Sequence, residues 1–324
     1  MTGDGRVPVT VVTGYLGAGK SSLLNHVLVS GRGRFAVIVN EFGEIGIDGA
    51  LIDTGEEELI ELSSGCLCCV VRGDLIRSLR GLLRREPGLD GILIETTGVA
   101  NPSPVIQTFT ADQVLAGLAR LDAVVTVVDA VHVAGQLRAS GDAADQVALA
   151  SVIVLNKVSD AADPDGVERA LRALNPHAAI HRADRGRVAP AHLLGTGSFS
   201  LDRVAADLSA DDHGQHDHDH VAANGIASVS VTLGAPLDPD ALGAWMERFL
   251  MLRGADVLRL KGILWVAGEP RRVIVQSVHM MAETDLGPPW GNETPASRLV
   301  VIGRNLDAAE IRDGLAGCRA QVPA

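Results

Sequence analysis

Residues 9–28 read VTVVTGYLGAGKSSLLNHVL and decide the fold, because three patterns follow one another in this stretch. The run from Val9 to Thr13 is apolar and β-branched, which is typical of a buried strand. A glycine-rich segment comes next, and a helical pattern begins at about Ser21. A strand, a glycine-rich turn and a helix in this order predict a phosphate-binding loop within an α/β domain.

The spacing within this loop is that of the G-x-x-x-x-G-K-[ST] motif. Its glycines let backbone N–H groups close around phosphate oxygens, and the N-terminus of the helix adds a favourable dipole. We expect Lys20 to reach the β- and γ-phosphates, as a catalytic residue, and the Ser21 hydroxyl to bind Mg²⁺. The predicted nucleotide-binding residues of the loop are Gly14, Gly17, Ala18, Gly19, Lys20, Ser21 and Ser22.

Four more short apolar runs alternate with helical patterns downstream. They are FAVIVN (35–40), GILIE (91–95), LDAVVTVVDA (121–130) and SVIVLN (151–156), and one helical stretch runs from 164 to 174. Such runs are typical of strands buried in a parallel sheet. The sequence therefore predicts a doubly wound α/β domain with its ligand loops at the carboxyl ends of the strands.

Two of these loops carry candidate catalytic residues. Glu95 ends its strand and is predicted to hold the Mg²⁺ water shell, with Thr97 and Gly98 facing the γ-phosphate. The loop after FAVIVN is rich in glycine and contains Glu41 and Asp48. We predict that it moves with the nucleotide state and that both carboxylates serve catalysis; a merely solvated acidic loop is the alternative.

The last strand ends in Asn156 and Lys157, the first two residues of an N-K-x-D loop of the kind that reads guanine in GTPases. In that loop the lysine stem packs on the base and the aspartate accepts two hydrogen bonds from it. Here Ser159 occupies the aspartate position and Asp160 follows one residue later. Either the loop shifts so that Asp160 reads the base, or discrimination against adenine is relaxed. We expect GTP to be preferred over ATP, less sharply than with an aspartate in place.

Three of the four cysteines, Cys66, Cys68 and Cys69, lie within SSGCLCC (63–69). Neighbouring cysteines are poorly placed to form a disulfide. Three thiolates on one loop can converge on one ion, and soft sulfur ligands favour Zn²⁺ or a similar ion in a tetrahedral shell. A metal site with an open fourth position is predicted; a buried trio without metal and a Cys66–Cys69 redox pair stay open. Cys318 reads as an ordinary buried residue.

Composition argues against several classes of function. A net charge of −12 at pH 7 does not suit nucleic-acid binding, which needs a basic footprint. No uncharged apolar run reaches the roughly 18 residues that indicate a membrane span, and no secretion signal is visible. We expect a cytoplasmic protein with reduced thiols and with neither membrane nor nucleic acid as a partner.

The composition changes near residue 206. Residues 206–225 are polar and rich in histidine, which predicts a flexible linker after a P-loop domain of residues 1–205. The histidines of this tract are predicted to be weak metal ligands, and they are His213, His216, His218 and His220.

Residues 226–324 are predicted to form a smaller α+β domain. Segments 226–233 and 271–278 alternate with period two, and 240–252 has a helical period. These patterns predict an antiparallel sheet with helices on one face. His279 is interpreted as a core histidine, with a metal ligand as the alternative.

Taken together, these motifs resemble those of the CobW-like P-loop GTPases, which are related to the nickel-inserting accessory GTPases of urease and hydrogenase. The resemblance rests on GYLGAGKSS (14–22), NEFGEIGIDGALI (40–52), SSGCLCC (63–69), IETTGVANPSPVI (94–106) and the C-terminal segments around KGILWVAG (261–268). It implies a GTP-dependent metallochaperone that handles Zn²⁺ or Co²⁺ at the cysteine motif and delivers it to a client metalloprotein.

Two other functions stay open at this point. One is a GTP-dependent assembly factor that carries no metal, and the other is a P-loop kinase of a small molecule. No motif sets the oligomeric state, and a homo-oligomer is compatible with the sequence.

Overall fold

The structure is a computed structural model in which the chain divides into two compact units. The first comprises residues 1–170 and 178–199, and the second comprises residues 171–177 and 200–324. The residues that the structure describes are 5–31, 33–39, 59–61, 70–200, 203–204, 208, 220–221 and 225–320. The boundaries predicted near residues 205 and 225 stay predictions.

The first unit contains a seven-stranded sheet with the order β3-β2-β4-β1-β5-β6-β7, in which every pair of neighbours is parallel. The strands are β1 (Val7–Thr13), β2 (Phe35–Val39), β3 (Leu59–Glu61), β4 (Gly91–Glu95), β5 (Ala119–Asp129), β6 (Val152–Asn156) and β7 (Ala179–Arg182). The doubly wound parallel sheet predicted from the sequence is confirmed.

Helices connect these parallel strands. They are α1 (Lys20–Ser30), α2 (Val70–Arg85), α3 (Ser103–Ala111), α4 (Gln113–Leu118), α5 (Val133–Ala139), α6 (Gly141–Leu149) and α7 (Pro164–Leu174). In the described part of the chain, no helix has both the length and the apolar character that a bilayer crossing requires.

The central strands are buried on both faces, which explains why they read as continuous apolar runs. Val11 and Val12 are consecutive residues of β1 and point to opposite faces, yet their exposed fractions are 0% and 2%. The register pairs Val12 with Glu95 and Asp129 with Asn156, so that β1, β4, β5 and β6 all end at one edge of the sheet. Ligand loops of open α/β sheets lie at this edge.

The second unit contains an antiparallel sheet with the order β12-β11-β10-β13-β9-β8. Its strands are β8 (His220–Val221), β9 (Ile226–Leu233), β10 (Val257–Leu264), β11 (Arg271–Val278), β12 (Met281–Pro289) and β13 (Ser297–Arg304), and its helices are α8 (Pro239–Arg253) and α9 (Ala308–Ala316). Trp245 and Phe249 of α8 and Ile311 of α9 share one apolar cluster with the strands. The predicted α+β architecture is confirmed.

Two features of this unit differ from the sequence interpretation. His279 is half-buried and lies in the two-residue turn between β11 and β12 with a φ of 53°, so its interpretation as a core histidine is wrong. A tight hairpin turn needs left-handed residues, and histidine tolerates that conformation better than most. His220 and Val221, inside the predicted linker, pair with β9.

Candidate nucleotide-binding site

The phosphate-binding loop joins β1 to α1, as the motif predicts. Gly19 precedes the helix with a φ of 104°, and a Cβ there would collide with the side-chain amide of Asn156. The position therefore requires glycine for its backbone conformation and for the close approach of Asn156. Gly19 also offers no side chain to cap the helix, so the first N–H groups of α1 are not satisfied by a capping side chain.

Lys20 is folded back over its own loop. Its Nζ donates to the carbonyl of Gly14 at 2.8 Å. Burial lowers the pKa of the Lys20 ammonium, while the charge of the nearby Glu95 carboxylate opposes that shift. An ammonium has three N–H donors, so two are left for phosphate oxygens beyond the one that Gly14 receives.

Ser21 and Glu95 are brought together from the helix and from the end of β4. The Ser21 hydroxyl donates to Glu95 Oε1 at 3.4 Å. The Thr97 hydroxyl is buried and has no hydrogen-bond partner among the described residues. Ser21 and Glu95 supply a hydroxyl and a carboxylate close together, and Mg²⁺ prefers such oxygen ligands and ordered waters. Thr97 adds an unpartnered buried hydroxyl on the loop that follows β4. These residues therefore fit the predicted Mg²⁺ site.

The loop that carries Thr97 and Gly98 lies directly against the phosphate loop. A Cβ on Gly98 would lie 2.8 Å from the Leu16 amide nitrogen, so only glycine permits this approach. The buried hydroxyl of Thr96 donates to Thr13 Oγ1 at 2.8 Å and links the two strand ends. The phosphate loop and the loop that follows β4 are therefore in direct contact.

Gln146 of α6 hydrogen-bonds to the loop that carries Thr97 and Gly98, a role that the sequence interpretation missed. Its side-chain amide is buried and donates to the carbonyls of Gly98 (3.4 Å) and Ala100 (3.2 Å). The helix GDAADQVAL also contains two aspartates, Asp142 and Asp145, so the glutamine did not stand out in the sequence.

Asn156 connects the phosphate loop to the segment after β7. Its Nδ2 donates to the Ala18 carbonyl at 2.9 Å, and its Oδ1 accepts from the Gly186 N–H at 2.9 Å. The side chain is 2% exposed. Both partners are backbone groups, and each would lack this hydrogen bond if the amide were removed.

Asn156→Ala is therefore expected to destabilise the first unit by about 2–4 kcal/mol, the cost of two backbone groups left unpaired in a buried site. The three tryptophans, Trp245, Trp265 and Trp290, all lie in the second unit. Urea unfolding followed by far-UV circular dichroism should shift to lower urea, while the tryptophan transition of the second unit should not.

A matched control for this prediction is Asn292→Ala, since Asn292 is exposed in the second unit. That replacement should change neither transition by more than about 0.5 kcal/mol. Equal shifts in both variants, or an unchanged dichroism transition in Asn156→Ala, would contradict the bridging role of Asn156.

Lys157 is held in place by a carboxylate that sequence reasoning also missed. Its Nζ donates to the Gly17 carbonyl at 2.9 Å and to Asp129 Oδ2 at 2.7 Å, and Asp129 Oδ2 also lies 2.9 Å from His132 Nδ1. Burial raises the pKa of Asp129, but the hydrogen bonds from Lys157, His132 and the Val131 amide outweigh it and leave the pKa lowered. Asp129 ends β5 at the ligand edge, and that position was the signal.

An open cavity of about 600 Å³ lies beside the phosphate loop. This volume is in the range of small-molecule sites. Its lining includes Gly17, Ser22, Asn156, Lys157, Asp160 and Asp184. The cavity therefore extends from the phosphate loop to the Asn156–Lys157 loop, as a nucleotide would require.

Several predicted site residues lie outside the described residues. They are Glu41 and Asp48 of the acidic loop, the cysteines Cys66, Cys68 and Cys69, and the histidines His213, His216 and His218. For His220 the structure describes only the backbone. The roles of these residues stay predictions.

Fold and site together define a class: a parallel α/β sheet with a G-x-x-x-x-G-K-S loop at its ligand edge is a P-loop nucleotide-binding protein. Residues 8–182 match the CobW/HypB/UreG nucleotide-binding domain, and residues 226–319 match the cobalamin synthesis protein cobW C-terminal domain. The chain belongs to this CobW family, which confirms the resemblance found in the sequence.

Relatives of known name extend over nearly the whole chain. The zinc chaperone YjiA of Escherichia coli (strain K12) is 36% identical over 318 residues, which is 97% of this chain and 99% of the relative. The zinc chaperone CobW of Sinorhizobium sp is 34% identical and covers 95% of this chain and 96% of its own. The crystal structure of Zn(II)-bound YjiA GTPase from E. coli has a TM-score of 0.78 at 33% identity, with 97% and 99% coverage.

Proposed function

We propose that this protein is a GTP-hydrolysing metallochaperone. It binds Zn²⁺ or Co²⁺ through Cys66, Cys68 and Cys69 and passes the ion to a client metalloprotein. The supporting observation is the convergence of the phosphate loop, the Glu95–Gly98 loop and the Asn156–Lys157 loop at one sheet edge, in a chain whose full-length relatives are named zinc chaperones.

The phosphate loop binds the triphosphate. Backbone N–H groups at the start of α1 face the phosphates and are reinforced by the helix dipole. Lys20 exchanges its contact with the Gly14 carbonyl for phosphate oxygens, or bridges both, and compensates the charge that develops during transfer. Ser22 and Gly17, which line the cavity, contact the nucleotide beyond the phosphates.

Ser21 and Glu95 are the residues that would hold Mg²⁺. When bound, this ion neutralises charge on the phosphate oxygens and aligns them for in-line attack. The Thr97 hydroxyl, which has no hydrogen-bond partner among the described residues, is proposed to donate to a phosphate oxygen. Hydrolysis then needs only an oriented water, and Glu41 and Asp48 are the proposed residues that orient it.

The nucleoside occupies the cavity beside the phosphate loop. Asn156 holds the phosphate loop and the segment at Gly186. The stem of Lys157, which lines the cavity, is proposed to pack on the base while its ammonium binds Gly17 and Asp129. A lysine whose ammonium is bound by one carbonyl and one carboxylate is held rigidly. Such preorganisation lowers the entropic cost of binding the nucleotide.

The cysteine motif provides the cargo site. Three thiolates leave a fourth position of a tetrahedral ion open to water or to a donor from the client. An open position permits release, which a closed four-ligand site opposes. The histidines His213, His216, His218 and His220 are proposed as weak auxiliary ligands that raise the local metal concentration.

Nucleotide and metal are expected to be coupled because the cysteine motif lies in sequence between the acidic loop and the Glu95–Gly98 loop. Segments that contact a γ-phosphate and its Mg²⁺ change order when the phosphate is lost. If metal affinity differs between the two nucleotide states, linkage requires an equal effect of metal on nucleotide affinity.

The test of the proposed function is the affinity for Co²⁺, measured by competition with a chelator in three conditions. We expect Co²⁺ to bind about 5- to 150-fold more tightly with Mg²⁺ and a non-hydrolysable GTP analogue than with Mg²⁺ and GDP. Protein with Mg²⁺ alone is the control. Equal affinity in the analogue and GDP states would contradict a nucleotide-gated chaperone. Absence of Co²⁺ binding in all three conditions would favour an assembly factor that carries no metal.

The same protein preparation also tests the kinase alternative. A hydrolase releases orthophosphate from GTP in the absence of any acceptor, whereas a kinase transfers the phosphoryl group to a metabolite. GDP that forms only when an acceptor is added, with the phosphoryl group on the acceptor and no orthophosphate released, would contradict the proposed hydrolase.

A further inference from the structure

Position 159 holds serine where guanine-reading loops carry aspartate, but the fold brings another carboxylate to it. Asp184 Oδ1 accepts from the Ser159 backbone N–H at 3.0 Å and from the Ser159 hydroxyl at 2.9 Å. The carboxylate of Asp184 therefore lies one hydrogen-bond length from Ser159, the position at which other loops carry the aspartate.

The backbone around Asp184 is fixed at both ends. On the preceding side, the Ala183 N–H donates to the Leu155 carbonyl at 2.8 Å, and the Ala183 carbonyl accepts from Val158 at 3.3 Å. On the following side, the Gly186 N–H donates to the buried Asn156 side chain at 2.9 Å. These contacts tie the segment to the Asn156–Lys157 loop, so the position of Asp184 relative to Ser159 is a feature of the fold.

The second oxygen of this carboxylate is available. Both contacts with Ser159 use Oδ1, and Oδ2 has no partner among the described residues. Asp184 lines the same cavity as Gly17 and Lys157. A carboxylate that is held through one oxygen at the wall of a cavity keeps its other oxygen to accept hydrogen bonds from a ligand.

Guanine fits this acceptor and adenine does not. Guanine presents two adjacent donors, its N1–H and its 2-amino group, whereas adenine presents an acceptor at N1 and lacks the 2-amino group. We propose that Asp184, positioned by Ser159, is the residue that selects guanine in this protein. This inference rests on the proposed function, because it assumes that the cavity takes the base of a nucleotide.

Asp160 is the rival carboxylate, and the structure separates the two. Asp160 is exposed and ends a single 3₁₀ turn, Val158–Asp160, after Lys157 in a left-handed conformation. It also lines the cavity, but its side chain forms no hydrogen bond or ion pair with Ser159 or with another described residue. Of the two carboxylates, Asp184 is the one that is hydrogen-bonded to Ser159.

The experiment exchanges donors and acceptors at Asp184 and measures Kd for GTP, ATP and XTP with Mg²⁺. In Asp184→Asn the Ser159 donors hold the amide oxygen, so the NH₂ group takes the place of Oδ2. It then opposes the 2-amino group of guanine and complements the 2-oxo group of xanthine. We expect GTP to bind about 10- to 100-fold more weakly and XTP to become preferred over GTP.

Asp160→Asn is the matched control and should leave the order of the three affinities unchanged. The double variant Ser159→Asp with Asp184→Ser returns a carboxylate to the same place from the other loop, and it should restore the preference for GTP. If Asp184→Asn keeps the parent ratio of GTP to ATP affinity, if Asp160→Asn produces the exchange, or if the double variant does not recover, the proposal is wrong.

The parent protein separates this inference from the proposed function. If it binds no nucleotide at all, the proposed function fails. If it binds GTP and ATP equally, nucleotide hydrolysis can stand and the role of Asp184 is overturned.

Discussion

Replacement of Lys20 by alanine is expected to lower kcat for GTP hydrolysis by about 10²- to 10³-fold. Lys20 is the cation of the phosphate loop, and its Nζ lies 2.8 Å from the Gly14 carbonyl at the start of that loop. Charge grows on the phosphate oxygens and the leaving group in the transition state, so a fixed ammonium stabilises that state more than the ground state. Orthophosphate release at saturating GTP measures the effect.

Lys20→Met is the matched variant, because it keeps most of the aliphatic stem and removes only the charge. Burial lowers the pKa of Lys20, which means that the folded protein disfavours this charge, so neither replacement should unfold the first unit. Urea unfolding by far-UV circular dichroism checks that point. Hydrolysis at the parent rate in either variant would show that the phosphate site has been assigned wrongly.

The strands around the site were predictable because burial on both faces imposes a simple pattern. The runs GILIE (91–95) and FAVIVN (35–40) correspond to β4 and, within the described residues, to β2. In the second unit, β9 and β11 have the bounds that their period-two segments predict. Where one physical requirement decides every position in a segment, the sequence is a sufficient guide.

Strands at the margins were not predictable on the same grounds. Strand β12, MAETDLGPP, is almost fully exposed and lacks a regular apolar alternation, and its register with β11 is shifted near Arg271. An edge strand is held by backbone hydrogen bonds and needs no apolar face, so its sequence carries little pattern. Strand β7, AIHR, is short and only partly buried for a similar reason.

The residues of the candidate site also differ in how far the sequence predicts them. Lys20, Ser21 and Glu95 belong to local motifs whose residues are close in sequence or end a recognisable strand. Gln146 and Asp184 act on loops that lie 48 and 25 residues away in sequence. Their roles depend on how α6 and β7 pack, and no spacing rule for one sequence encodes that distance.

Replacement of Cys66, Cys68 and Cys69 by serine is expected to abolish the tight metal site. We expect Zn²⁺ affinity to fall at least about 10³-fold, because thiolate sites for Zn²⁺ reach about 10–16 kcal/mol of binding free energy and serine is a poor ligand for a soft ion. Tetrahedral Co²⁺ bound by thiolates gives strong visible and charge-transfer absorption. That absorption should disappear in the triple variant.

Cys318 is the matched control for this experiment. It is 3% exposed, and its Sγ contacts the carbonyls of Gly314 (3.2 Å) and Ala241 (3.5 Å) in the second unit. Burial raises the pKa of the Cys318 thiol, which disfavours the thiolate form that a metal requires. Cys318→Ala should therefore leave the cobalt spectrum unchanged.

Cys68 separates the metal site from the redox alternative. A redox pair needs only Cys66 and Cys69, which have the C-x-x-C spacing, so Cys68→Ser would leave their reversible oxidation intact and would not alter metal binding. A trio that converges on one ion loses a ligand with any of the three, so Cys68→Ser should weaken Co²⁺ binding and reduce the charge-transfer band as much as Cys66→Ser does. A cobalt spectrum that survives the triple replacement would show that other residues bind the metal. The histidines of residues 213–220 would then be the next to replace.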